Sequence, residues 1–208
     1  MQEHVILLHG LWMRAFTLIA LRNRLERAGF SVELFDYASV MHGVDVEVDR
    51  LAQRAAAIGG GKVHLVGHSL GGLEALQALQ RAPKLTRGRV VCLGSPLLGS
   101  AAARSVARLP GGSYLIGKNL GILRDGLENW GGKQAVGVIA GRLPIGFGFA
   151  VGALTSPHDG TVSVAETELP GLTDHCVVPA THTGLLFSEQ AADQTIAFLR
   201  AARFSRSG

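Results

Sequence analysis

Lys62-Val63-His64-Leu65-Val66-Gly67-His68-Ser69-Leu70-Gly71-Gly72 runs an apolar strand pattern straight into the helical pattern of Leu73–Leu79, with one serine at the break. A serine at so sharp a strand-to-helix turn must adopt a strained backbone conformation, and side chains two residues to either side would collide, so glycine is required at 67 and 71. The strain lifts the hydroxyl clear of the chain. The helix that begins at once behind it brings amide donors and a positive dipole end to any oxyanion formed there. Gly72 allows that helix to approach the sheet closely. The stretch therefore predicts a nucleophilic Ser69 carried on a sheet of the α/β kind.

Outward from this turn, short runs rich in Val, Ile, Leu and Phe alternate with segments of helical period, the pattern of βαβ units and a parallel sheet. Strands are expected at His4–Leu8, Ser31–Tyr37, Lys62–Gly67, Arg89–Gly94, Gln134–Ala140 and His175–Val178. Helices are expected near Thr17–Ala28, Val44–Ile58, Leu70–Arg81 and Ser188–Ala202, the last with Ser188 as N-cap but without a full capping box. The fold class is α/β in three layers, a mostly parallel sheet of about six strands with helices on both faces. At 208 residues the chain suits one domain, residues 1–208, and shows no repeat or linker. Residues 95–130 break the strand–helix rhythm and read as a cap or lid insertion, with Tyr114, Leu115, Ile116, Leu120, Ile122, Leu123 and Leu127 available either to line a site or simply to cover the sheet edge.

Composition excludes more than it selects. The net charge of +4 comes from scattered arginines rather than a stripe, which argues against a nucleic-acid partner. Met1-Gln2-Glu3-His4 leads directly into a strand, with no basic n-region and no apolar span, so the expectation is a cytoplasmic protein without a stable membrane anchor. Cys92 and Cys176 each lie in an apolar run and are expected to be inert thiols, and no spacing suggests a metal. No cofactor is called for. The oligomeric state is not legible.

A nucleophilic serine needs a base, and the base needs an orienting group. The carboxylate candidate is Asp159, in the turn Ser156-Pro157-His158-Asp159-Gly160; the histidine candidate is His182, between the last strand and the last helix. Their chain order, Ser then Asp then His, suits this architecture. Competitors are His158, which comes too early; His175, at the wrong end of its strand; and Asp36, at the correct edge but in a position that more often structures a turn. A second motif, His9-Gly10-Leu11-Trp12, ends the first strand at the edge where ligands bind in open α/β sheets. Acyl transfer needs two amides aimed at the oxyanion, and Leu70 and Leu11 are the candidates. His9 is read as a brace for this loop in preference to a catalytic base. An apolar substrate pocket is expected from Trp12, Met13, Leu97, Leu123 and Phe147, each of which has core packing as its alternative.

Together, His9-Gly10-Leu11, Gly67-His68-Ser69-Leu70-Gly71-Gly72, Gly94-Ser95-Pro96-Leu97-Leu98-Gly99-Ser100, Asp159-Gly160 and His182 resemble the bacterial lipase/esterase branch of the α/β-hydrolase family. The resemblance spans nearly the whole chain. It implies the three-layer α/β-hydrolase fold, a Ser69–Asp159–His182 triad, oxyanion amides at Leu11 and Leu70, and hydrolysis of a small-molecule acyl ester or lipid. Larger members of the family carry two strands ahead of the His-Gly strand, and typical lipases have a long amphipathic lid helix; this sequence departs on both counts. A thioesterase or acyltransferase using the same triad is the alternative, and a non-catalytic binding module of the same fold is the rival from another class.

Overall fold

The computed structural model describes residues 3–58, 62–146 and 154–206. Its centre is a six-stranded sheet of β1 (His4–Leu8), β2 (Ser31–Phe35), β3 (Val63–His68), β4 (Val90–Leu93), β5 (Val136–Gly141) and β6 (Asp174–Val178), in the order β2-β1-β3-β4-β5-β6. Every neighbouring pair is parallel. The direction of winding reverses between β1 and β3, and at such a switch point the carboxyl ends of two adjacent strands open a crevice. Ser69 follows β3 and His9-Gly10 follows β1, so both central motifs flank this crevice.

Alternation within the buried strands divides the core in two. Ile6, Leu8, Leu65 and Val138 face α2 (Val44–Ile58) and α3 (Leu70–Arg81). Val5, Leu7, Val66 and Ile139 face α1 (Ile19–Arg27) and α8 (Glu189–Ala201), where Leu21, Leu25, Phe198 and Leu199 meet them. A side-chain period of two on strands thus serves two helical layers, each with its own apolar stripe. The boundaries depart from expectation by a residue or two. β2 stops at Phe35 because Asp36 and Tyr37 leave the ladder to hold the loop after β1. The first helix starts as a 3₁₀ turn, Ala15–Leu18, before α1. Ser188 does cap α8, its hydroxyl accepting from Ala191 N at 3.2 Å.

Residues 95–130 hold three short helices, α4 (Ala101–Ala107), α5 (Gly112–Ile116) and α6 (Leu120–Asp125). Their apolar residues mostly point down: Ile116 and Leu123 are buried in the core, with Leu120, Ile122 and Leu127 packed against it. Tyr114 and Leu115 face outward, at 88% and 60% exposed. A fourth short helix, α7 (Val164–Thr167), is tied to this region by Glu166, which accepts from Ser163 N at 2.8 Å and from Ala101 N at 2.5 Å.

The close approach of α3 to the sheet is testable. A Cβ at Gly72 would lie 2.1 Å from Ser95 Oγ and 3.1 Å from Cys92 Cβ. Gly72→Ala should therefore destabilise the protein by about 1–3 kcal/mol, the usual cost of overpacking, although alanine is the better helix former. A lower urea midpoint is the expected result. An unchanged midpoint would mean that the helix backs away at no cost.

Candidate active site

Ser69 sits between β3 and α3 with φ 55° and ψ −120°, a conformation that side-chain-bearing residues rarely adopt. Such a residue costs about 1–3 kcal/mol and persists only where its surroundings enforce it. Here the glycines permit the enforcement. A Cβ on Gly67 would come within 2.3 Å of Gly71 C and Gly72 N, and one on Gly71 within 2.5 Å of Leu8 O. The turn is closed by Ser69 N donating to Leu93 O at 2.8 Å and Gly72 N to Ser69 O at 3.1 Å.

Asp159 and His182 come from loops beyond β5 and β6. His182 Nδ1 lies 2.7 Å from Asp159 Oδ2, while Asp159 Oδ1 accepts from Thr161 N at 2.9 Å and Val162 N at 2.7 Å. Both carboxylate oxygens are thus occupied by donors, and the residue is 1% exposed. The two loops are also joined through the backbone, His182 N donating to Asp159 O at 2.8 Å. Gly94, at the end of β4, gives this pair room: a Cβ there would lie 3.1 Å from Asp159 Oδ2 and 3.2 Å from His182 Nδ1.

His68 connects the pair to the serine turn. Its ring is 4.7 Å from the His182 ring, and its Nε2–H donates to the His182 carbonyl at 3.0 Å. Burial pushes its pKa down to about 3, so the ring is neutral. On its other side a Cβ at Gly10 would meet His68 Nδ1 at 3.2 Å and Ser69 Cβ at 3.1 Å, which places the His9–Trp12 loop directly against the serine. Leu70 opens α3, and the first amides of a helix have no acceptor within it. Leu11 lies in the turn that follows Gly10, partly buried against the core.

The loop after β1 is held from several directions. His9 is fully buried, stacked on Tyr37 with ring centroids 4.1 Å apart, and its Nε2 accepts from Tyr37 N at 3.3 Å. Its Nδ1–H is then the donor to Gly10 O at 2.9 Å. Tyr37 Oη donates to the His9 carbonyl. Asp36 binds Arg14 and Ala15 N, and the Arg14 guanidinium holds its carboxyl down at about 2. Trp12, at φ 60°, donates its N–H to Ser39 Oγ at 3.2 Å and its indole N–H to Leu115 O at 2.7 Å, linking the loop to α5.

The remaining sequence candidates fall elsewhere. His158 Nδ1 accepts from Gly160 N at 3.1 Å and braces the Asp159 turn. His175 lies on β6 with its ring on Thr167 Oγ1 at 2.8 Å. Of the expected pocket residues, Trp12 is 62% exposed, whereas Leu97 and Leu123, at 0% and 5%, belong to the core and offer little surface to a ligand. Met13 packs partly buried against the inner core, and Phe147 lies outside the described residues. Next to Trp12's partner Leu115 runs a groove of about 530 Å³ lined by Val40, Met41, Tyr114, Lys118 and Leu120 among others. Cys92 is buried, with its thiol pushed up to about 12; Cys176 is partly buried and raised likewise. Among the described residues no group of three or more His, Cys, Asp or Glu could hold a metal ion, and no helix is long and apolar enough to cross a membrane. Sequence reasoning passed over Tyr37, His68, Ser39 and Glu74, all of which surround the site.

Comparison with known proteins agrees with this architecture. The profile described as the alpha/beta hydrolase family matches residues 5–203. Among solved structures the chain is similar to a mature lipase from Bacillus licheniformis, at 18% identity and a TM-score of 0.76, over 97% of this chain and 92% of that one. It is also similar to a pyrethroid hydrolase from Sphingobium faniae, at 17% identity and a TM-score of 0.65, over 97% and 98%. A gene product of Listeria innocua gives 15% identity and a TM-score of 0.63, over 99% of both chains. At these identities the likeness carries the fold alone. A comparison with curated proteins gave no match.

Proposed function

The chain belongs to the alpha/beta hydrolase family, and from that premise we propose that it cleaves carboxylic esters through an acyl-enzyme on Ser69. The observation that carries this reading is the set of contacts joining the Ser69 turn, His68, His182 and Asp159 at one edge of the sheet. In the first step Ser69 Oγ attacks the ester carbonyl and its proton passes to His182 Nε2; the tetrahedral oxyanion is received by the amides of Leu11 and Leu70. Collapse expels the alcohol, which takes the proton from His182. Water then repeats the sequence on the acyl-enzyme, returning Ser69 and releasing the acid. Asp159, acceptor-only with both oxygens occupied, holds the Nδ1–H tautomer of His182 and stabilises its cationic form. No step calls for a cofactor. Residues 95–130 act as a small cap in this reading, and the substrate is a small-molecule acyl ester.

The test is a series of p-nitrophenyl esters of increasing chain length, with a thioester of matched acyl group beside it. Ester turnover should dominate. A preference for the thioester, or for transfer to an added alcohol over water, would move the assignment to the alternative chemistry of the same triad. In this reading the acyl chain lies along exposed Trp12 and extends towards the groove between Val40-Met41 and Tyr114-Leu120. Each methylene buried there is worth about 0.8 kcal/mol, or roughly three- to fourfold in kcat/KM, until the groove is full. Trp12→Ala should therefore reduce kcat/KM for long-chain esters far more than for acetyl esters. Leu123→Ala, in contrast, should chiefly lower stability, by about 2–5 kcal/mol, as expected of a buried leucine. Equal losses across all chain lengths in Trp12→Ala would place the acyl path elsewhere.

A further inference from the structure

Helix α3 carries one carboxyl on its buried face. Glu74 is 2% exposed, and neither of its oxygens makes a hydrogen bond of ordinary geometry. The hydroxyl of Tyr37, itself 3% exposed, faces it. A tyrosine hydroxyl has a single proton to give, and Tyr37 gives it to the carbonyl of His9. Towards Glu74, then, Tyr37 Oη presents lone pairs only. A carboxylate there would set acceptor against acceptor, whereas a carboxylic acid closes a hydrogen bond and completes a directed chain from Glu74 O–H to Tyr37 O–H to His9 C=O. That carbonyl belongs to the residue before Gly10, which packs on Ser69 Cβ. We propose that Glu74 is a positioning residue, held as the neutral acid, whose proton fixes Tyr37 and through it the root of the oxyanion loop. This rests on the ester-hydrolase reading of the same site.

The surroundings favour the neutral form. From α2, Glu47 faces Glu74 and is itself held by His42 Nδ1 at 2.7 Å and by the Arg50 guanidinium, whose Nη1 donates to it at 2.6 Å. Beyond β2, Tyr37 is raised well above its ordinary range by burial and these carboxyls, and Asp36 is bound to Arg14. At the end of β1 His9 is held low by burial; on β3 His68 is neutral, and on β4 the Cys92 thiol is protonated. Burial foremost raises Glu74 from the ordinary 4.5 to about 8, against the lowering effect of the neighbouring Tyr37 hydroxyl and with Glu47 adding to the rise. The sign follows directly. Below about pH 8 the acid keeps the chain intact; above it the carboxylate draws the Tyr37 proton to itself and frees the His9 carbonyl. Because the unfolded chain gives up this proton at lower pH than the folded one, the group also makes folding progressively less favourable as pH rises from about 4.5 to about 8.

The experiment compares the wild type with Glu74→Gln, which keeps a neutral donor, and Glu74→Leu, which removes it. Ester kinetics and amide hydrogen exchange of the 9–12 segment are followed from about pH 6 to about pH 9.5. The wild type should lose kcat at constant KM through about pH 8, with a parallel loss of protection in the loop. Glu74→Gln should retain most of the neutral-pH kcat and abolish both transitions. In Glu74→Leu, kcat should lie about tenfold below the wild type's neutral-pH value, with KM unchanged and no transition near pH 8, as expected of a slightly misplaced donor. A Glu74→Leu variant with the parent's kcat, pH profile and exchange would overturn the inference; should that variant not fold, a Glu74→Gln variant that still shows the transition near pH 8 does so. The exchange readout needs no substrate. A wild type that cleaves no ester yet shows the exchange transition sinks the proposed function and leaves the Glu74 assignment standing, while active enzyme lacking that transition sinks the assignment alone.

Discussion

Ser69→Ala should abolish ester hydrolysis, with a fall in kcat on the order of 10⁶-fold, while a fluorophosphonate labels the wild type at Ser69 alone. The size of the effect follows from the unit in which the serine acts, since removing a nucleophile leaves only what the oxyanion amides and substrate binding supply. The selectivity follows from how the other hydroxyls near the site are used. Ser39 Oγ accepts from Trp12 N, Ser100 Oγ from Ala103 N, Ser163 Oγ is bonded to Glu166, and Ser95 Oγ is sealed in the core against Gly72. Ser69 is the partly exposed one of this group, on a turn whose φ of 55° holds its side chain away from the sheet. The substitution deletes one oxygen and leaves the turn in place, so a urea midpoint near that of the parent should accompany the loss. Stoichiometric labelling at another residue, or none in folded protein, would favour the binding-module reading.

How far the sequence carries the structure depends on the range of the physics involved. The six strands and four main helices were legible because each is a local period: the apolar runs Val5–Leu8 and Val63–Val66 have no other stable reading, and Gly67, Gly71 and Gly72 fix the turn between strand and helix by short-range collision. Sheet order was not legible locally. It depends on crossovers, and only the switch between β1 and β3 explains why the His9-Gly10 loop meets Ser69. The pocket residues were the least legible. Leu97 and Leu123 share with Trp12 an apolar character that says nothing of depth, and depth separates them: two in the core, one at the surface. Tyr37 and Glu74 escaped for a related reason, since their roles are made by a contact across elements, β2's extension to α3. Glu74 did leave one local sign, a lone acid on the apolar phase of Leu70-Gly71-Gly72-Leu73-Glu74-Ala75-Leu76. A charged residue at a buried helical position is worth questioning whenever it stands just behind a reactive turn.

Asp159→Asn should reduce kcat on the order of 10⁴-fold with little change in KM, and His182→Ala should lose at least as much. The argument for asparagine is one of tautomers. Its carbonyl oxygen can take over the two amide bonds that Asp159 Oδ1 accepts from Thr161 N and Val162 N, so the turn has no reason to move. The amide NH₂ is then left facing His182 Nδ1, 2.7 Å from the present carboxylate oxygen. A donor there obliges Nδ1 to accept, which puts the ring proton on Nε2, and an Nε2–H cannot take a proton from Ser69. The fold is kept and the base is lost. His158→Ala is the paired control, because His158 Nδ1 only accepts from Gly160 N and its loss should cost stability more than turnover. The double variant Ser69→Ala/His182→Ala should be no slower than Ser69→Ala alone, since members of one catalytic unit do not add. Full activity in His182→Ala together with its loss in His158→Ala would transfer the role of base to His158. A drop in KM and kcat together in Asp159→Asn, with a lowered unfolding midpoint, would mean that Asp159 serves the loop and leaves the orientation of His182 to the His68 contact with its carbonyl.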